Sequence, residues 1–347
     1  MILALIIAFL ISVTTIPVVI RVAILKRLVD TPDDNRKVHK RAIPFLGGVS
    51  IFLGLILGFT ISYGFNIGEL EPSTMAYLVA AITIIFFIGL KDDIVGLSPL
   101  KKLIAQMVCA FIIVVLADIR IPSMYGIFGI TQLPLAVSYA LSVFAYIVIV
   151  NSINLVDGLD GLAGGVGLIA CIFFGLWFYE YGDMALAMVC GAMGGSLLGF
   201  LVYNFSPAKI FMGDGGSLTV GTVLAFLALA MLNTPHSSEV GMIMSKISRP
   251  VAAMAFLCYP LLDTLRVFTI RAIRGESPFT ADKRHIHHHL IAHGATHRKA
   301  AIAIYLFSGV IGVIAMYSGL LEPTYSFALT FSLALIVSQL MTKIKLK

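Results

Sequence analysis

Long apolar runs, broken by short polar segments, set the pattern of this chain. Many runs approach the ~20 residues that a membrane-spanning helix needs and exceed the roughly 9–11 of a barrel strand. The pattern therefore predicts an all-α, polytopic membrane protein of about eleven transmembrane helices and excludes a β-barrel. The runs fall near 2–23, 45–64, 75–90, 103–118, 134–150, 162–180, 184–203, 217–233, 250–265, 300–319 and 324–342. The ninth is the weakest, because it holds Pro260 and runs up to Asp263 and Arg266. The first has no basic segment before it and no clear small-residue cleavage pattern, so it is expected to be a retained helix, not a signal peptide.

The polar segments alternate in charge. One set carries Lys26, Arg27, Arg36, Lys37, Lys40 and Arg41, then Lys91, Lys101 and Lys102, then Lys209, then the basic run from Arg266 to Lys299 and the C-terminal lysines. The other set carries mostly Glu and Asp, with Arg120 and Lys246. Positive-inside bias puts the first set in the cytoplasm, with the N-terminus outside and the C-terminus cytoplasmic. Neither side has room for a soluble domain, so residues 1–347 are expected to form one transmembrane catalytic domain. The longest loop, 266–299, is the expected lid or substrate-reading element.

Composition agrees. Of 347 residues, 59% are hydrophobic and 12% charged, against about 25% charged in a soluble domain. The formal charge of +6 does not imply a nucleic-acid partner, because the basic residues lie in short loops beside spans. The four cysteines all fall in spans and form no CxxC, as expected of small buried apolar residues.

The unusual polar clusters all fall on the expected cytoplasmic side. They are Lys91-Asp92-Asp93, the run Asn151 to Gly161 with Asn154, Asp157 and Asp160, the turn Gly213-Asp214-Gly215-Gly216-Ser217, and His285 to His289. A carboxylate near hydrocarbon needs a cation, a partner or a role. Adjacent aspartates repel unless a cation lies between them, and Mg²⁺, hard and oxygen-seeking, suits such a site. Asn154, Asp157 and Asp160 recur every three residues, which on a helix puts them on one broad face. The glycine turn at 213–217 could offer amides to an anion while Asp214 binds the counter-cation, with Ser217 as an alternative helix cap. His285, His289, His293 and His297 recur every four residues, which would align them on one helix face. Phosphate or sugar contacts suit them better than a metal, since no cysteine or HExxH accompanies them and Arg284 favours anions. Together these residues imply phosphoryl chemistry on a nucleotide-like substrate, with a lipid as the second substrate.

These motifs resemble the polyprenyl-phosphate N-acetylhexosamine-1-phosphate transferase family. The resemblance runs from about 25 to 300 and includes Asp30-Thr-Pro-Asp, Arg36-Lys-Val-His-Lys40 and Ile43-Pro-Phe-Leu-Gly-Gly48 of the first loop, Asn151 to Leu162, Phe211 to Ser217, and Ser277 to Leu290. Asp282 to His289 looks like the bacterial branch that uses UDP-GlcNAc for O-antigen, common-antigen or teichoic-acid linkage synthesis. The resemblance implies a multi-pass protein of the bacterial cytoplasmic membrane, among membrane lipids, acting at the cytoplasmic face. It implies transfer of GlcNAc-1-phosphate from UDP-GlcNAc to undecaprenyl phosphate with release of UMP. A muramoyl-pentapeptide donor is the second expectation, and a cation-coupled transporter a remote third.

For individual residues, the expected metal is Mg²⁺, with Mn²⁺ as substitute, held chiefly by Asp214 with help from Asp93. Asp92 is expected at the attacking phosphate, and Asp157 and Asp160 are expected donor-side or catalytic residues. Asn154, Arg284, His285, His287 and His288 are expected at the donor. Arg36, Lys37, His39 and Lys40, with Arg41 beside them, are candidates for the acceptor phosphate. A homodimer is a family expectation.

Overall fold

The computed structural model describes residues 1–30, 43–65, 72–234, 247–276 and 284–343. Its elements are α1 (Ile2–Leu25), α2 (Gly47–Gly64), α3 (Pro72–Val95), α4 (Pro99–Phe111), α5 (Leu135–Val156), α6 (Leu162–Glu180), α7 (Met184–Asn204) and α8 (Gly213–Asn233). Then come α9 (Arg249–Phe256), α10 (Cys258–Arg274), α11 (Ile286–Ala292), α12 (His297–Ser318) and α13 (Pro323–Met341). A π-helical turn, Ile112–Leu116, extends α4. Among the described residues, ten helices are long and apolar enough to cross a membrane. Counting α9 and α10 together gives up to eleven.

The ninth span differs from its prediction. It breaks at Leu257 into α9 and α10, which bend 80° to one another. Pro260 lies in the first turn of α10, where its missing N–H leaves no helical bond unmade. Arg249 anchors the far end. It is buried among the rings of Tyr125, Trp177 and Tyr181 and donates to the Thr234 carbonyl and the Tyr181 hydroxyl.

Position in the bundle follows composition. In α1, 22% of the spanning stretch is buried; in α8 it is 100%. Thus α1 leaves most of its surface outside the bundle, and α8 is the enclosed axis, packed by α2, α3, α5, α6 and α9. Small residues allow this closeness, since helices in lipid gain by van der Waals fit rather than by hydrophobic drive. Ala4, Ala8 and Ser12 of α1 are buried, Ala8 against Gly58 of α2 and Ser12 between Gly54 of α2 and Gly199 of α7. A Cβ on Gly195 would strike the Leu5 carbonyl.

One further element shapes the site. Strands β1 (Val29–Asp30) and β2 (Ile43–Pro44) pair antiparallel, Val29 opposite Pro44. The chain after β2 then bonds to the segment before α8. Phe211 donates to the Pro44 carbonyl (2.7 Å), and the Gly47 and Gly48 amides donate to the carbonyls of Phe211 and Met212 (2.9 and 2.8 Å).

Candidate active site

Five helix ends meet at one end of the bundle: the starts of α2, α4 and α8, and the ends of α3 and α5. Their polar residues build the site around Asp214. The helix α8 begins at Gly213, four residues earlier than the apolar run suggests, so the glycine turn is the first helical turn. Gly213 has φ +71°, and a Cβ there would lie 2.7 Å from Asp93 Oδ2. Only glycine meets both conditions without strain.

The amides at this helix start are not left for an outside anion. Asp93 takes them: the Asp214 and Gly215 amides donate to its two carboxylate oxygens at 2.7 and 3.0 Å. A carboxylate here satisfies orphan donors and faces the positive end of the helix dipole. Ser217 does not cap α8; it lies in the second turn and accepts from Asn154 Nδ2 (2.8 Å).

Asp214 is held from two sides. Lys102 Nζ donates to its Oδ2 at 2.8 Å and to Asp92 Oδ2 at 2.9 Å. Asn154 Nδ2 donates to its Oδ1 at 3.0 Å. One turn from Lys102 and Asn154, the side-chain amides of Gln106 and Asn151 bond reciprocally at 2.7 and 3.2 Å. That pair fixes α4 against α5 and so sets both residues that grip Asp214.

Asp157 and Asp160 part company. The helix α5 ends at Val156, so Asp157 is its C-cap, and the chain turns through Gly161 (φ +78°) before α6. The expected single helical face does not form. Asp157 joins the cluster, accepting from the Gly213 amide. Burial, then the charges of Asp214 and Asp93, push its carboxyl well above the ordinary range. Asp160 turns elsewhere: Ala208 N donates to its Oδ2 (3.2 Å) and His297 Nδ1 is 3.4 Å from its Oδ1. It ties the α5–α6 turn to the chain before α8 and to α12.

The histidine segment also departs from its expected single face. The helix α11 stops at Ala292, and the chain turns through Gly294 (φ +96°) before His297 opens α12. His285 and His287 are buried, at 5% and 1% exposure, while His288 is half-buried. His285 Nδ1 lies 2.7 Å from Asp263 Oδ2, and His287 Nδ1 lies 3.1 Å from the Tyr259 hydroxyl. Burial lowers His287 to about 3, so it is neutral at physiological pH. A Cβ on Gly158 would be 3.2 Å from His287 Nε2, which places α11 against the turn that carries Asp157. Arg284 pairs with Glu276 (2.7 Å).

The structure thus brings Asp92, Asp93, Asn154, Asp157 and Asp214 together and sets the histidine segment beside them. The acceptor-side residues Arg36, Lys37, His39, Lys40 and Arg41 lie outside the described residues. Sequence reading passed over two side chains. Lys102 stands just ahead of the run at 103–118 and reads as a topology charge, but α4 starts at Pro99 and carries it inside the helix. Asp263 was noted only as a flaw in the ninth run, although a carboxylate there needed a partner.

Lys102 thus bridges two carboxylates, Asp92 and Asp214, and Asp93 and Asp157 lie beside Asp214, an acidic cluster that fits a divalent cation. Among the described residues no three His, Cys, Asp or Glu side chains converge as a complete metal site. Mg²⁺ does not need one, since it commonly takes one or two carboxylates and leaves its other positions to water and substrate phosphates.

Comparison with known proteins adds to this geometry. Residues 75–232 match the model of glycosyl transferase family 4. A "Probable undecaprenyl-phosphate N-acetylglucosaminyl 1-phosphate transferase" of Bacillus subtilis (strain 168) is 34% identical over 90% of this chain and 84% of its own. An "Undecaprenyl-phosphate alpha-N-acetylglucosaminyl 1-phosphate transferase" of Salmonella typhi is 33% identical over 86% of this chain and 79% of its own. A "Decaprenyl-phosphate N-acetylglucosaminephosphotransferase" of Mycolicibacterium smegmatis is 32% identical over 90% of this chain and 80% of its own.

Proposed function

Because the chain belongs to glycosyl transferase family 4, we propose that it transfers GlcNAc-1-phosphate from UDP-GlcNAc to a polyprenyl phosphate, releasing UMP. Undecaprenyl phosphate is the acceptor in this reading, and the site faces the cytoplasm of a bacterium. The observation that carries the reading is the Asp92–Lys102–Asp214 bridge. It is a compact, partly buried charge centre that, with a divalent cation, would hold phosphates.

The reaction needs little acid–base work. A phosphate monoester has its second pKa near about 6, so the acceptor is mostly dianionic at neutral pH. One of its oxygens bonds to the sugar-bearing phosphorus. The bond from that phosphorus to the bridging oxygen breaks, and the oxygen leaves on UMP with the electron pair. The barrier comes from crowding anions, so positioning and electrostatics dominate.

Each residue has a place in this scheme. Lys102 moves its ammonium from the carboxylates to a substrate phosphate. Asp92, released from Lys102, orients the acceptor phosphate. Asn154 fixes Asp214. Asp93 keeps the start of α8 in register. Asp214, with Asp93 beside it, would hold Mg²⁺, which would supply the positive charge that neutralises the diphosphate. Asp157 completes the anionic wall, and Asp160 braces the donor-side turn through Ala208 and His297. Arg284, His285, His287 and His288 make up the donor side. The first loop, with Arg36, Lys37, His39 and Lys40, meets the acceptor; its flanking strands abut the segment before Asp214.

The test is direct. Purified protein with Mg²⁺ receives UDP-GlcNAc or UDP-MurNAc-pentapeptide, each with undecaprenyl or decaprenyl phosphate. Mass spectrometry identifies the lipid product and a coupled assay measures UMP. Prenyl-pyrophosphoryl-GlcNAc is expected. Product from the pentapeptide donor alone, or no UMP from either donor, would overturn the reading.

A further inference from the structure

We propose that Asp263 is the positioning residue of the histidine segment, and that it places His288 as the ring facing the donor diphosphate. The proposal rests on the donor reading above and deepens it.

Asp263 is wholly buried, at 0% exposure, in a helix that belongs to a broken membrane span. An ionised carboxylate in such a place is costly unless its oxygens are satisfied. Both are. Oδ2 faces His285 Nδ1 at 2.7 Å, and Oδ1 accepts from the Ile286 amide at 2.8 Å. His287 Nδ1 is 4.0 Å from Oδ2. One carboxylate thus fixes both a ring and the backbone where α11 begins.

It does not act alone. Tyr259, Asp263 and Arg266 follow at helical spacing on α10, so they share a face. Tyr259 holds His287 at 3.1 Å. Arg266 donates to the Arg284 carbonyl and lies 3.3 Å from His289 Nε2. The face grips the histidine segment at successive points from Arg284 to His289.

The grip sorts the histidines. His285 and His287 spend their Nδ1 atoms on α10 and are buried. His287 sits against Gly158, next to Asp157. His288 follows it in the chain, with its ring centroid 4.3 Å from that of His287, and is more exposed than His285 or His287. A polar ring at that place, beside the acidic cluster where the metal-bound diphosphate would lie in this reading, fits a phosphate oxygen of the donor.

A double-mutant cycle tests this with the full-length protein. Asp263→Asn keeps the size of the side chain but cannot accept from both the ring and the amide. A misplacement of about 1 Å can cost on the order of 10²-fold, so kcat/KM for UDP-GlcNAc should fall roughly 10- to 100-fold while KM for the prenyl phosphate holds. Combined with His288→Ala, Asp263→Asn should add little, because both remove one contact. Losses that multiply, or a wild-type kcat/KM in Asp263→Asn, would overturn the proposal. If Asp263→Asn fails to fold, Tyr259→Phe replaces it in the same cycle.

A footprint needs no activity. In the wild type, diethyl pyrocarbonate should modify His288 ahead of His285 and His287, read by peptide mass spectrometry. His285 reacting as fast as His288 would overturn the clamp. An inactive wild type with the expected footprint would sink the donor reading and leave the clamp standing.

Discussion

Lys102 Nζ donates to Asp214 Oδ2 across 2.8 Å, joining residues 112 positions apart in the chain. The same nitrogen reaches Asp92 at 2.9 Å, so one ammonium separates two carboxylates that would otherwise repel. Lys102→Ala should lower kcat about 10²- to 10³-fold, the scale of losing a preorganised electrostatic contact. Lys102→Arg should recover little, because a planar fork does not replace a compact point charge between two acceptors. Steady-state kinetics in detergent decide this; an alanine variant that kept most of its rate would remove Lys102 from the scheme.

Asp157 opposes function to stability. Its carboxyl is pushed up by burial and by the neighbouring charges of Asp214 and Asp93. A folded-state value above the unfolded one means that the charge costs stability, beginning as pH rises through the unfolded value of about 3.9. Asp157→Asn should therefore raise the thermal midpoint of the metal-free protein at pH 7 while lowering activity. A lower midpoint would mean that Asp157 is needed for packing instead.

His287 gives a pH dependence of the opposite sense. Burial lowers it to about 3, so the unfolded chain binds its proton first as pH falls. Stability from this residue is complete above the unfolded value near 6.5 and is lost progressively between about 6.5 and 3. Thermal unfolding measured across that window should show the loss, and His287→Gln should flatten it. A midpoint just as steep in the variant would assign the dependence to other groups.

Gly213 is tested by a single methyl group. Its φ of +71° and its 2.7 Å approach to Asp93 Oδ2 leave no room for a side chain. Gly213→Ala should cost about 1–2 kcal/mol from backbone strain alone, and more from the displaced carboxylate. The midpoint in detergent and the Mg²⁺ concentration for half-maximal activity should both move. A change in the midpoint alone would separate the cap from the metal.

The spans were legible because apolar runs of this length have few other readings. Asp92, Asp93, Asn154 and Asp214 were legible because carboxylates and amides beside hydrocarbon demand partners. Other features depended on local turns. The period of Asn154, Asp157 and Asp160 assumed one continuous helix, but Gly158 and Gly161 end it and send Asp160 away. The four-residue spacing of the histidines failed in the same way at Gly294. Lys102 and Asp263 were hidden for a different reason. Each had an adequate local explanation, as a topology charge and as the edge of a flawed span, and only their distant partners reveal what they do.

The enclosure of α8 bears on how such a protein can change over time. Asp214 and the amides capped by Asp93 sit on a helix touched on every side, so a shift there must be matched by the surrounding helices together. The α11 segment hangs on a few side chains of α10 at the rim. Substitutions there can reshape what enters without disturbing the helix that carries Asp214. On the proposed reading, lineages of this architecture can diversify their sugar donors at the margin while the site around Asp214 stays fixed at the centre.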